Sequence, residues 1–345
     1  MQNNVILLNN HVANDQVTEQ EEKRELLSTQ AIQFNELVKR AEDIQKDCKD
    51  YTIKKVNPLN FTYTDDATVL FRADDGQTVE TGLSRYALGQ LGTKIGVPGN
   101  YIQKCVDNNK IALAKDNVNS WIKNYDGGFF LRQYNEHLRG VLTPRYSVCD
   151  APQILNIMGN TLDMSQYNIK GQYLTEERMH LRFASTEMLN IEGEDLFPAI
   201  FLDSSDVGRS NLIVTFGIYK LICTNGMVIV RSSGVLYKQK HIGVDEKEFE
   251  EAIAASLKEI PYLTENAEQW VKAAKEKTID KKKMEAIMKN MHLNDKAQAE
   301  VIDLMEYKYG KSEFGFINGV TEVAQQFTLE KRLEIERIAG GLLVA

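Results

Sequence analysis

Apolar residues recur at three- and four-residue steps at Phe34, Leu37, Val38, Ala41, Ile44 and Cys48, with polar residues between them. That period predicts an amphipathic helix ahead of residue 51. Beyond it the pattern shortens. Residues 68–72, 129–134, 139–143, 168–174, 180–184, 199–203, 212–223 and 227–231 form short runs bounded by turn formers, which predicts strands. Asn135, Glu136 and His137 read as a hairpin loop. The Asn-Gly pair of Cys223-Thr224-Asn225-Gly226-Met227 is the signal of a tight type I′ turn. Two helical stretches interrupt the strands: residues 84–106, broken near Gly96-Val97-Pro98, and residues 151–162, opened by Asp150 as N-cap with Pro152 in the first turn.

After residue 245 apolar residues return to helical spacing, first at Phe249, Ile253, Leu257 and Ile260 and then in further short segments with acidic outer faces. The last runs over residues 328–338 and is stopped by Gly340-Gly341. The predicted class is α+β, a central antiparallel or mixed β-sheet with helices. It divides into an N-terminal acidic helical extension (1–50), an α+β core (51–244) and a C-terminal helical region (245–345). No internal repeat interrupts this order.

At 345 residues and 43% hydrophobic content the chain can bury its own core, and six prolines exclude Pro-rich disorder. The 41 basic and 49 acidic residues sum to −8, so attraction to nucleic acid depends on local distribution. Residues 1–50 carry six basic and ten acidic groups, 51–240 carry 20 and 19, and 241–345 carry 15 and 20. Acidity therefore sits at the two ends. Cys48, Cys105, Cys149 and Cys223 are scattered without ligand spacing, which argues against zinc and for free thiols in a reducing cytoplasm. No secretory leader and no run of about 20 apolar residues is present, so no membrane partner is expected.

No Gly-x-Ser-x-Gly, His-Glu-x-x-His, phosphate-loop or dinucleotide fingerprint occurs, and the five histidines are isolated. Neither a catalytic centre nor a cofactor is called for. A magnesium nuclease would draw on Glu187, Glu192, Glu194, Asp195, Asp203 and Asp206, which otherwise read as a solvated loop. Residues Gly92 to Ile102 carry the spacing of a helix-turn-helix, yet its second helix, from Pro98 to Val106, offers base edges only Asn100, Gln103 and Lys104, and the segment reads first as a packed helical corner.

The most suggestive stretch is 207–244, which holds Arg209, Lys220, Arg231, Lys238 and Lys240 with Phe216, Tyr219 and Tyr237, and no Asp or Glu. Strand alternation places Ile213, Thr215, Gly217 and Tyr219 on one face and Leu212, Val214, Phe216, Ile218 and Lys220 on the other. A second basic and aromatic cluster, with Arg132, Arg139, Arg145, Tyr134 and Tyr146, surrounds the predicted hairpin. Cations along a groove with aromatic platforms suit single-stranded nucleic acid, and the plainer alternative is a β-core with a basic rim.

Leu91-Gly92-Thr-Lys-Ile-Gly-Val-Pro-Gly-Asn-Tyr101, the run from Arg139 to Tyr146, Gly217 to Met227, and Asn318-Gly-Val-Thr321-Glu together resemble the phage/plasmid-like protein family, catalogued as a domain of unknown function, over roughly residues 60–340. That resemblance implies a mobile-element setting in a bacterial cytoplasm. In the order of its elements the core is also similar to the single-strand annealing recombinases of phages, the Red-beta, RecT and Rad-type superfamily. The expectation is a non-enzymatic, ATP-independent protein that binds and anneals single-stranded DNA as a homo-oligomeric ring or filament. Arg132, Arg139, Arg145, Lys220, Arg231, Lys238 and Lys240 would neutralise phosphates, and Tyr134, Tyr146, Tyr219 and Tyr237 would stack bases. The rival expectation is an interaction protein whose acidic helical ends bind or inhibit a host protein.

Overall fold

The computed structural model describes residues 33–220, 225–227, 235–240 and 246–344. Helix α1 (33–46) leads into strands β1 (Cys48–Ile53), β2 (Phe61–Tyr63), β3 (Val69–Arg72) and β4 (Thr78–Leu83). Helices α2 (Arg85–Ile95), α3 (Gly99–Asp107) and α4 (Ile111–Ile122) follow, then the hairpin β5 (Phe129–Tyr134) and β6 (His137–Leu142). These strands form one six-stranded sheet in the order β1-β5-β6-β4-β3-β2, antiparallel except where β4 meets β6.

Helix α5 (Ala151–Thr161) leads into β7 (Tyr167–Leu174), β8 (Met179–Ser185), β9 (Leu189–Ile191), β10 (Glu194–Ser204), β11 (Leu212–Lys220), β12 (Asn225–Met227) and β13 (Val235–Gln239). This second, seven-stranded sheet follows the order β12-β11-β10-β8-β7, with β9 on β10 and β13 on β11. Six helices close the chain: α6 (Glu246–Leu257), α7 (Ile260–Glu276), α8 (Lys281–Asn290), α9 (Asp295–Leu304), α10 (Glu313–Val323) and α11 (Leu329–Gly340). The fold class is α+β, as the patterning indicates.

The sheets bury separate cores. Phe61, Phe71, Leu91, Ile102 and Phe129 fill the first, between the six-stranded sheet and α2–α4. The second takes Leu181, Phe183, Ile200, Val214 and Phe216 from the seven-stranded sheet, with α5 and residues of the C-terminal helices. The helical stripe Phe34, Leu37 and Ala41 packs into that second core too, with the Phe34 ring edge-on to Phe183 at 6.2 Å. Thus both α1 and the C-terminal helices are integral to the second core. Residues 51–244 split between two cores because β1–β6 and β7–β13 each close a sheet of their own.

Local chemistry fixes two of the boundaries. Gly96 ends α2 in the left-handed region at φ 79, and a Cβ on Gly92 would lie 2.3 Å from the Val97 carbonyl oxygen, so α2 and α3 meet as a tight corner. Asp150 caps α5 in a capping box with Gln153, whose Oε1 accepts the Asp150 N–H at 2.8 Å. The turn expected at Asn225-Gly226 is not there. Asn225 pairs with Lys220 and Gly226 with Tyr219 in the β11–β12 ladder, which shifts the connection to 221–224, outside the described residues.

Candidate nucleic-acid interface

Two of the arginines expected to face phosphate lie instead inside the molecule, where the hairpin of the first sheet meets the β10–β11 turn of the second. Arg132 is 1% exposed and Arg139 is fully buried. Arg132 grips Asp50 through Nε at 2.9 Å and Nη2 at 3.0 Å, and Asp150 through Nη1 and Nη2, both at 2.6 Å. Its Nη1 also donates to the Asp206 carbonyl at 2.7 Å. Arg139 donates to the Glu176 carbonyl and, at 3.4 Å, to Asp206 Oδ2. Every donor of Arg132 is thus committed to the fold, and neither arginine reaches solvent, which removes both from the phosphate-binding set. Burial and the neighbouring Asp150 push Asp206 up to about 7.

The remaining expected residues scatter. Arg145 is exposed, and beside it Tyr146 is half-buried, its ring stacked on Phe130 at 6.1 Å and its hydroxyl donating to the Ser205 carbonyl. Tyr134 sits edge-on to His137 in an open groove of mixed charge, lined by Glu36, Asp43 and Asp47 and by Lys39 and Arg40. Lys238 and Lys240 are exposed at the end of β13 and just past it. Lys220 stands opposite Leu196, Tyr219 opposite Phe197 and Tyr237 opposite Val214, while their side chains and the whole of Arg231 fall outside the described residues.

What the fold does bring together is a cleft of about 340 Å³ lined by Lys94, Thr143, Tyr146, Ser210, Asn211 and Lys240, with Leu142 and Gly208. It joins the end of α2 to the end of β6, the β10–β11 turn and the residue after β13. No carboxylate lines it, and neither lysine forms an ion pair among the described residues. Partial burial pulls Lys94 below the ordinary lysine range, the mark of an ammonium short of counter-charge. Lys94 was not among the expected residues, because its place in the helical corner carries no nucleic-acid pattern.

The alternation read along β11 is correct: Leu212, Val214, Phe216 and Ile218 are buried in the core. On the opposite face Ile213 and Thr215 line a smaller pocket with Arg178 just before β8, His180 of β8, Phe201 and Asp203 of β10, and Leu333, Glu334 and Arg337 of α11. The sequence does carry a signal for it, since Arg178, His180 and Arg182 occupy every second position of an apolar strand. Ser210 lines both cavities.

The six carboxylates considered for magnesium do not converge. Asp203 pairs with Arg178 and Asp206 with Arg139, and among the described residues no group of three or more His, Cys, Asp or Glu is placed to hold a metal ion. Cys48, Cys105 and Cys149 stand outside any disulfide among the described residues, and burial pushes Cys48 up to about 11. Among the described residues no helix is long and apolar enough to cross a membrane.

A family model described as a domain of unknown function, DUF932, matches residues 139–337, more than half of the chain. The chain belongs to the DUF932 family. No curated protein and no solved structure matches it. The likeness to annealing recombinases is therefore not shown. The DUF932 span begins at the buried Arg139 and ends at Arg337 of α11, so it holds most of the second core, both walls of the smaller pocket, and Tyr146 and Lys240 of the larger cleft. It is narrower than the expected 60–340, and Lys94 lies outside it.

Proposed function

We propose that this DUF932 protein binds single-stranded DNA without ATP and anneals complementary strands, as a homo-oligomer, with the phosphate backbone lying in the Lys94–Lys240 cleft. The observation that carries the reading is the lining of that cleft: two unpaired lysines, an aromatic ring and hydroxyl and amide groups, with no carboxylate, in a chain of net charge −8. An acidic protein that leaves one concave surface free of acid creates a local field of the opposite sign to its total charge. The exposed Arg145 and Lys238 lie beside its Tyr146 and Lys240 in sequence.

Fluorescence anisotropy with labelled single-stranded and duplex DNA across a salt series tests it. Each phosphate neutralised on a single strand contributes about 0.7 to the slope of log affinity against log salt. Lys94→Glu with Lys240→Glu is expected to weaken single-strand binding and to lower that slope by about 1.4. A variant with unchanged affinity and slope would overturn the assignment of the cleft. Annealing of complementary oligonucleotides without ATP, lost in the same variant, checks the second half of the proposal.

A further inference from the structure

The smaller pocket on the outer face of the second sheet has a composition that narrows what it can take. Its volume is about 200 Å³, below the usual range of about 300–1,000 Å³ for pockets that enclose drug-sized ligands, so it fits one ring system and little more. Phe201, Ile213 and Leu333 supply an apolar floor and wall. Around them stand donors and acceptors in mixture. Arg178 holds Asp203 through Nε at 3.3 Å and Nη2 at 3.0 Å, and the Ser210 hydroxyl donates to Asp203 at 3.2 Å. Glu334 pairs with Lys331 at 2.9 Å, while Arg337 is exposed and without an ion-pair partner among the described residues.

His180 is the group the fold leaves unfinished. It is 5% exposed, and its Nε2 accepts from Arg182 Nε at 3.3 Å, which puts the ring proton on Nδ1. That Nδ1 has no hydrogen-bond partner; the nearest carboxylate oxygen, on Asp203, is 3.9 Å away. Arg182 itself is held by Glu336 at 2.6 Å and lies over the Phe201 ring at 5.5 Å, so the imidazole is fixed from behind. A buried donor without a partner is costly unless a bound group completes it.

A bare anion meets Asp203 and Glu334 here, a cation meets Arg178 and Arg337, and a purely apolar ligand strands the polar rim. A flat, neutral heterocycle with donors and acceptors on its edge satisfies all of these walls. Because Ser210 is shared with the lysine cleft, a ring seated here would have its sugar and phosphate in that cleft. We infer that the pocket between β8, β10, β11 and α11 takes one unpaired nucleobase of the strand whose phosphates lie between Lys94 and Lys240. The inference rests on the single-strand reading and adds to it a base-accepting element.

The test compares an intact oligonucleotide with one of equal length built entirely of abasic spacers, against the wild-type protein, Arg337→Ala, Leu333→Trp and the Lys94→Glu/Lys240→Glu variant. Arg337 is exposed and unpaired, so its truncation leaves the fold intact, while Trp at position 333 fills the pocket. The wild type is expected to prefer the intact strand by about fivefold or more, the least that one seated base gives. Arg337→Ala and Leu333→Trp should shrink that preference without changing affinity for the abasic strand. The lysine variant should weaken both strands and keep the ratio. Equal wild-type affinity for the two strands, or a preference that survives both pocket variants, overturns the base pocket and leaves the lysine cleft standing. Failure of the wild type to bind both strands overturns the pocket and the cleft together.

Discussion

Arg132→Met is the sharpest test of the buried ion-pair network. The guanidinium makes five hydrogen bonds of 3.0 Å or shorter, to Asp50, Asp150 and the Asp206 carbonyl. Met keeps the aliphatic stem and removes every donor. Asp50 retains a side chain 30% exposed and rehydrates, but Asp150 is 3% exposed and keeps as its nearest cation only Arg139, 4.0 Å away. Removing one partner of a buried pair costs about 3–5 kcal/mol, most of it the uncompensated charge left behind. Pairing the change with Asp150→Ser removes that charge while keeping an N-cap oxygen for α5. The double variant is expected to recover all but about 1–2 kcal/mol. Urea unfolding followed by far-ultraviolet circular dichroism gives both numbers. An Arg132→Met protein within about 1 kcal/mol of wild type, or a double variant no better than the single, would refute the account of the network.

Three further predictions follow from local geometry and charge. A Cβ at Gly92 would meet the Val97 carbonyl oxygen at 2.3 Å and the Gly99 nitrogen at 2.8 Å, whereas one at Gly89 meets nothing within 4 Å. Gly92→Ala should therefore lower the urea midpoint by the equivalent of about 1–3 kcal/mol, and Gly89→Ala should hold or raise it. Asp206 is pushed from its ordinary 3.8 up to about 7 by burial and Asp150, so the folded chain keeps a proton that the unfolded chain releases between those values. That contribution is whole below pH 4 and lost as pH rises through 7; Asp206→Asn should gain on wild type between pH 4 and pH 7 and hold that gain above it, and a difference independent of pH would contradict it. His180 is pushed from 6.5 down to about 3 by burial, then by the charges of Arg182 and Arg178, so the unfolded chain binds a proton across that window and the folded chain does not. Stability is lost as pH falls through it, and His180→Gln should flatten that acid limb in urea titrations.

Much of the fold is legible in the chain because period is a local property. The stripe from Phe34 to Ala41, the strands at 129–134 and 139–143, and helix α5 with its Asp150 cap each follow from spacing alone. Five strands lie outside the predicted runs, β1, β2, β4, β9 and β13, and of these β2 and β9 are three residues long, too short for alternation to register. The division into two cores escapes it for a different reason. Which sheet a strand joins is set by long-range pairing, as when β1 pairs β5 across some eighty residues, and no composition shift marks the boundary. Asn225-Gly226 shows the limit of a dipeptide rule: the ladder register, fixed by burying Ile218 in the core, overrides the turn preference.

The site residues divide along a chemical line. Arg132, Arg139, Arg178 and Arg182 are taken by Asp50, Asp150, Asp206, Asp203 and Glu336 inside the molecule, and Arg209 by Glu177 at its edge. A guanidinium is weakly hydrated and presents a rigid fork that matches a carboxylate, so it is the cation a fold can bury. Lysine, a strongly hydrated point charge on a flexible stem, is left at the surface, and Lys94 and Lys240 remain where no acid follows them. Counting basic residues along the chain cannot separate these two uses, since both appear as the same charge. The acids of this region are spent on the arginines of the core, and the cleft is free of carboxylate for that reason. An acidic chain can thus keep one positive surface without any excess of basic residues around it.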